Sequence, residues 1–121
     1  MWDTHWRIGG SAGTLLQSDR CSKHPNFAHG ANTTCWGPHM LLHVTRTASL
    51  MMSNNWGWVS DHELDIPDEN QLDIYTGRGI LIESQGPVWL YGSSFEHCML
   101  YNYQVANAKE IYMGIIQSET A

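Results

Sequence analysis

Charge is scarce in this chain. Only 15% of its 121 residues are Asp, Glu, Lys or Arg, against roughly 25% in soluble domains. Cationic residues are the rarest part, with Lys+Arg at 6 against Asp+Glu at 12, for a formal charge of −6. A basic stripe that could neutralise a phosphate backbone is missing, which excludes nucleic acid as a partner. Long apolar runs are missing too: no stretch approaches the roughly 18 residues needed to cross a bilayer, which excludes a membrane partner on this count. The opening Met1-Trp-Asp-Thr-His-Trp-Arg7 has no continuous apolar segment of the signal-peptide kind, and it reads as the interior of a longer protein. Helix-period amphipathicity is absent over any long window, with Tyr103–Lys109 faintly helical.

What the chain does have is six Trp, five Tyr and eleven Gly. Disordered segments are poor in aromatics, so this composition excludes disorder. The texture predicts an all-β chain of short strands. Met40–Thr45 is an apolar, β-branched strand candidate, and Ala48–Val59 follows it. Asp61–Asn70 is acidic and contains a proline, so it is expected as a solvated loop. Further candidates are Asp73–Tyr75, Gly79–Glu83, Val88–Tyr91, Cys98–Tyr101 and Glu110–Met113, separated by Gly, Pro and Asn punctuation.

The strands recur. Val88–Glu96 aligns with Ile111–Glu119 at an offset of 23 (111 − 88), each opening apolar-aromatic-apolar and closing on an acid. A looser copy, Ser53–His62, ends in an acid-His pair like Glu96-His97, at an offset of 35 (96 − 61). Such periods are the mark of stacked repeats. The expected fold is a right-handed parallel β-helix, partial, of about four coils, occupying residues 1–121 as a single incomplete domain.

Three cysteines cannot all pair. Cys21 and Cys35 bracket the polar segment Ser22–Thr34 within an expected loop over Cys21–Pro38, a spacing that suits a loop-closing disulfide. Asn32-Thr33-Thr34 inside it is a glycosylation sequon, and the two signs together point to an extracellular, secreted protein. Cys98 is left as a buried core thiol.

Most other chemistries find no support. His39 and His43 on one strand face would lie about 13 Å apart, too far to share a metal, and the cysteines lack a C-x2-C framework. No metal site is expected. Ser11 and Ser84 sit in no G-x-S-x-G elbow. Gly77-Arg-Gly79 lacks the context of a nucleotide site. A polysaccharide lyase would want a Lys or Arg base with a carboxylate-bound Ca²⁺, and Lys109 and Arg78 are isolated.

Glu96 and Glu119 remain. One repeat apart, they should share a face on neighbouring strands. A carboxylic acid beside a carboxylate is what glycosidic hydrolysis requires: one protonates the leaving oxygen, the other activates water or attacks the sugar carbon. Trp56, Trp58, Trp89, Tyr91, Tyr101 and Tyr103 could stack on sugar rings. Stacking of strands alone sets the two α-carbons about 5 Å apart.

Several motifs occur in a telling order: Trp2-Asp3 with Arg7–Gly10, Trp56-x-Trp58-x-x-Asp61-His62, and Ile74-Tyr75-x-Gly77-Arg78-Gly79. After them come Glu83–Gly92, Glu96-His97, Tyr101-x-Tyr103-Gln104 and Met113-Gly114-x-Ile116-Gln117-x-Glu119-Thr120. This string, over essentially the whole chain, resembles the fungal exo-β-1,3-glucanases of glycoside hydrolase family 55. The resemblance implies two tandem right-handed β-helix domains, with this chain from the second and the first as its missing partner. It implies exo-hydrolysis of laminarin-type β-1,3-glucan with inversion and without metal or cofactor. Glu119 then maps onto the general acid and Glu96 onto the water-positioning residue. Trp58, Trp89, Tyr101, His97 and Gln117 are the expected substrate contacts. Ser118 departs from the family's usual Thr, and the chain stops at Ala121 before the family's following Pro and Tyr. The rival expectation is a non-catalytic glycan-binding or degenerate remnant.

Overall fold

The computed structural model describes residues 1–24 and 28–121; residues 25–27 of the expected polar loop lie outside the described residues. Among the described residues nine strands form: β1 (His5–Ile8), β2 (Met40–Val44), β3 (Leu50–Ser53), β4 (Trp56–Val59), β5 (Arg78–Ile82), β6 (Val88–Tyr91), β7 (Ser94–Glu96), β8 (Tyr101–Val105) and β9 (Ile111–Gly114). They divide into three parallel sheets of three strands, ordered β1-β4-β7, β2-β5-β8 and β3-β6-β9. The all-β class holds.

The architecture expected for those strands is corrected. In place of a right-handed parallel β-helix of about four coils, the described residues form a small all-β domain of three short parallel sheets, each only three strands deep. The 23-residue offset is a real register, since β6 pairs β9 at Val88↔Ile111. The 35-residue offset is not. β4 meets β7 at Trp58↔Glu96, an offset of 38 (96 − 58), so Asp61 does not lie beside Glu96. The strand pattern of the N-terminal third is interrupted after β1, where Gly9, Gly10 and Gly13 take left-handed φ. Between β1 and β2 the described residues include a four-residue helix α1 (Ser18–Cys21) and a 3-10 turn at Thr33–Cys35.

Other local expectations shift for identifiable reasons. Ala48–Val59 splits into β3 and β4 at Asn54, whose φ of 54° no strand tolerates. Asp73–Tyr75 makes only an isolated bridge, Trp36↔Tyr75. The strand expected from Cys98 begins at Tyr101, and the faintly helical Tyr103–Lys109 opens as the end of β8.

Val44, Met52, Ile80, Ile82, Val88, Leu90 and Phe95 form the main core between the sheets, and Trp6 packs against it. Gly57 is required here. A Cβ at that position would lie 2.4 Å from the Phe95 ring, which fills the space between β4 and the core. With Phe95 fully buried, strand alternation turns its neighbours Ser94 and Glu96 to the outer face.

Candidate functional site

The outer face of the β1-β4-β7 sheet carries two rows set by register: His5, Trp56 and Ser94, then Arg7, Trp58 and Glu96. The chain returns beside this sheet after β9. Ser94 bridges Gln117 in parallel, and His97 N donates to Glu119 O at 3.1 Å. Glu119 thereby reaches Glu96. One carboxylate oxygen from each, with a ring nitrogen of His97, all lie within 4.8 Å of one another.

The two acids have different surroundings. Glu96 is 5% exposed. Its Oε2 accepts the Trp56 indole N–H at 2.9 Å, and its Oε1 accepts the Ser94 hydroxyl. Both partners donate, so the carboxylate form satisfies them and each oxygen keeps one lone pair. Glu119 is half exposed. Its Oε1 accepts from Gln117 Nε2 at 3.1 Å, and its Oε2 lies 3.3 Å from His97 Nε2.

His97 adopts φ 61°, the left-handed region that costs an L-residue with a Cβ about 1–2 kcal/mol. Contacts on both sides hold it there: its Nδ1 meets Val59 O at 2.9 Å. Asn102 fastens the Glu119 backbone, donating from Nδ2 to Glu119 O at 2.6 Å and to Ser118 Oγ at 2.8 Å, while its Oδ1 accepts Cys98 N–H at 2.9 Å. Tyr103 OH lies 2.9 Å from both Ser93 O and Gln117 O, tying the returning segment to the turn before β7. Burial pushes that phenol far above its ordinary range, so it remains a donor.

The expected substrate contacts do not all converge. His97 and Gln117 stand beside the acids, but both are engaged with Glu119. Trp58 is only 2% exposed. It lies between Trp56, stacked at 4.9 Å, and His62 at 5.1 Å, and so supports Trp56 more than it offers a face. Trp89 projects from the β3-β6-β9 sheet, and Tyr101 sits under the Arg78 guanidinium on the β2-β5-β8 sheet. Neither belongs to the face that bears Glu96. Sequence reasoning did not single out Ser94 or Asn102, and it named Trp56 only as one aromatic among several. Ser94 was available from strand alternation, two residues before Glu96; Trp56 needed the 38-residue register.

Two hollows flank the acids. One of about 450 Å³ is lined by residues including His97, Asp61, Tyr75 and Thr120. The other, about 280 Å³, is lined by His5, Trp6, Arg7, Trp56, Trp58 and Leu64. Arg7 grips Asp65 with two guanidinium nitrogens, drawing the 61–70 loop over Trp58 and, with Ala12 N–H, holding the Asp65 carboxyl below its usual range.

Away from this face, Cys21 and Cys35 are disulfide-bonded with Cα atoms 5.8 Å apart. Asn32 is exposed, and its Oδ1 accepts from Thr34 N and Oγ1 at 3.1 and 2.8 Å. Cys98 is buried and free.

No protein-family model matches the chain. Three relatives align over 99% of it. A "Probable glucan endo-1,3-beta-glucosidase" of Arthroderma benhamiae is 58% identical, and a "Glucan 1,3-beta-glucosidase" of Cochliobolus carbonum is 40% identical. A "Non-secreted LysM effector LysM15" of Penicillium expansum is 51% identical. The chain spans 14%, 15% and 8% of their respective lengths. It is thus similar to a small part of proteins named as β-1,3-glucosidases, and equally to a part of one named as an effector.

Proposed function

We propose that this chain is a segment of a longer, two-domain exo-β-1,3-glucanase of glycoside hydrolase family 55 and carries its acid pair. The observation behind the reading is the meeting of Glu96 and Glu119 within 4.8 Å on one face, in unlike surroundings. The two relatives named as β-1,3-glucosidases support a β-1,3-glucan substrate. The disulfide supports an oxidising, extracellular setting, where the Asn32 sequon could be glycosylated.

In this reading Glu119 is the general acid, exposed toward the cleft, and protonates the glycosidic oxygen. Glu96 stays ionised and takes the proton of the attacking water. Retaining enzymes hold their carboxyls about 5–5.5 Å apart and inverting ones about 6.5–9.5 Å. The 4.8 Å limit here is between single oxygens and is not that group-to-group separation. Glu96 is nonetheless a poor nucleophile, buried with a donor on each oxygen, and it is better suited to hold water. Inversion then requires a water to enter beside Glu96 while Glu119, held by His97 and Gln117, faces the glycosidic oxygen. The aromatic walls of the hollow beside Trp56 suit the apolar face of a sugar ring.

The 51% identity to a protein named as an effector favours a second reading, a non-catalytic glycan-binding remnant. Incubation with laminarin separates the two. Release of glucose by the protein carrying this segment supports the hydrolase. Binding without release supports the remnant.

A further inference from the structure

His97 has no ring nitrogen left for a sugar. Val59 O can only accept, so Nδ1 carries a proton and donates to it across 2.9 Å. The other nitrogen, Nε2, faces Glu119 Oε2 at 3.3 Å. A link between an imidazole nitrogen and a carboxyl oxygen needs one proton. Either the imidazolium donates to a carboxylate, or the carboxylic acid donates to a neutral imidazole; with no proton, two lone pairs oppose each other. Gln117 Nε2 can only donate, and it occupies Oε1 at 3.1 Å, which leaves the proton for the Oε2 side.

We propose that His97 and Glu119 form a one-proton unit, in which His97 is the positioning residue that loads the acid proton onto Glu119 Oε2. The inference rests on the hydrolase reading above and deepens it. The protein clamps the unit from several directions. The backbone of His97 donates to Glu119 O, Asn102 holds the same carbonyl, and the ring has little exposed surface. The charged and titratable groups around the ring are Glu119, Glu96 and, lining the adjoining hollow, Asp61, Asp73, Tyr75 and Lys23.

The step balances. The unit's proton passes from Oε2 to the glycosidic oxygen as the bond from that oxygen to the anomeric carbon breaks. A water oxygen bonds the anomeric carbon, and the proton it releases goes to Glu96. That proton then returns through a bridging water to the emptied unit, whose atoms lie within 4.8 Å of the Glu96 oxygen. His97 makes the emptied state unfavourable, because Nε2 then has no hydrogen to offer Oε2. This favours reloading after each turnover.

Two measurements test this. In the full-length protein, ¹⁵N signals of the His97 ring at a pH where it is neutral should show the Nδ1–H tautomer, and Glu119→Gln should displace the Nε2 signal. A neutral Nε2–H ring, or an Nε2 signal indifferent to Glu119→Gln, overturns the unit whatever the protein's activity. In the full-length protein, His97→Gln keeps a side chain able to donate but unable to relay a proton. Turnover of laminaritriose should fall about 10²-fold or more, the range of general-acid effects. A 2,4-dinitrophenyl β-glucoside, whose leaving group departs unprotonated, should lose less than about tenfold. Equal losses on both substrates point to mere structural support and overturn the proton role. If the unaltered protein hydrolyses no glucan, the hydrolase reading fails and the catalytic role with it, while the ring signals still report the unit.

Discussion

Trp56 reaches from β4 to β7 and donates its indole N–H to Glu96 at 2.9 Å, 40 residues along the chain. The same ring stacks on Trp58 and lines the hollow beside the acids. It thus provides both an apolar wall and an orienting donor.

Trp56→Phe separates these roles, since it keeps the stacking and removes the donor. Losing a hydrogen bond to a charged, buried acceptor costs about 1.5–3 kcal/mol. Urea unfolding should show a loss in that range, and turnover should fall more than substrate binding. Unchanged stability would mean that the bond does not form in solution.

The buried Glu63 should make stability pH-dependent. Burial by itself raises its carboxyl, but hydrogen bonds from Ser18 N–H, Ser18 Oγ, Asn70 and Gln17 outweigh this and hold it below the ordinary 4.5. A carboxyl lowered on folding stabilises fully above its unfolded value, and the contribution is lost as pH falls through the folded value. Glu63→Gln should cost about 1–3 kcal/mol at neutral pH by leaving buried partners mismatched. It should also flatten the loss of stability below pH 4.5, as read from urea midpoints at several pH values.

How far the sequence spoke for itself depended on how local the signal was. The 23-residue register of β6 on β9 was legible because both strands carry the same apolar-aromatic alternation with no insertion between repeats. The place of Trp58 was not. The acidic 61–70 segment drew Asp61-His62 into a false match with Glu96-His97, whereas backbone pairing sets Trp58 there. The meeting of Glu96 with Glu119 was legible from the repeat. Their different partners were not, because Trp56, Asn102 and Val59 reach the site only through the pairing of distant strands and through turns such as the left-handed His97. Trp89 and Tyr101 looked suitable as aromatics near an acid. Sequence proximity does not reveal that the chain turns onto another sheet between them and Glu96.

The disulfide closes a loop with a sequence separation of 14. Loop-closure entropy alone predicts a loss of about 3 kcal/mol on its removal. Cys21→Ser with Cys35→Ser should lower the thermal midpoint by several degrees, and dithiothreitol should do the same to the unaltered chain.

Cys98 should resist alkylation in the folded protein. Burial pushes its thiol up to about 11, so little thiolate exists near neutral pH. Iodoacetamide at pH 8, followed by mass spectrometry, should label it slowly under native conditions and rapidly in urea. Rapid native labelling would contradict its place in the core.

The central claim is the division of labour between the two glutamates, and turnover of laminarin by the paired variants tests it most directly. In the full-length protein, Glu119→Gln should remove nearly all hydrolysis while binding is largely kept. Glu96→Gln should also cut turnover, and azide should restore some rate by forming the α-glycosyl azide, inverted like the normal product. Proton NMR of the first glucose formed by the unaltered enzyme should show the α-anomer, the product of inversion at a β-linkage. Most activity surviving in Glu119→Gln, or β-glucose as the first product, would contradict the account.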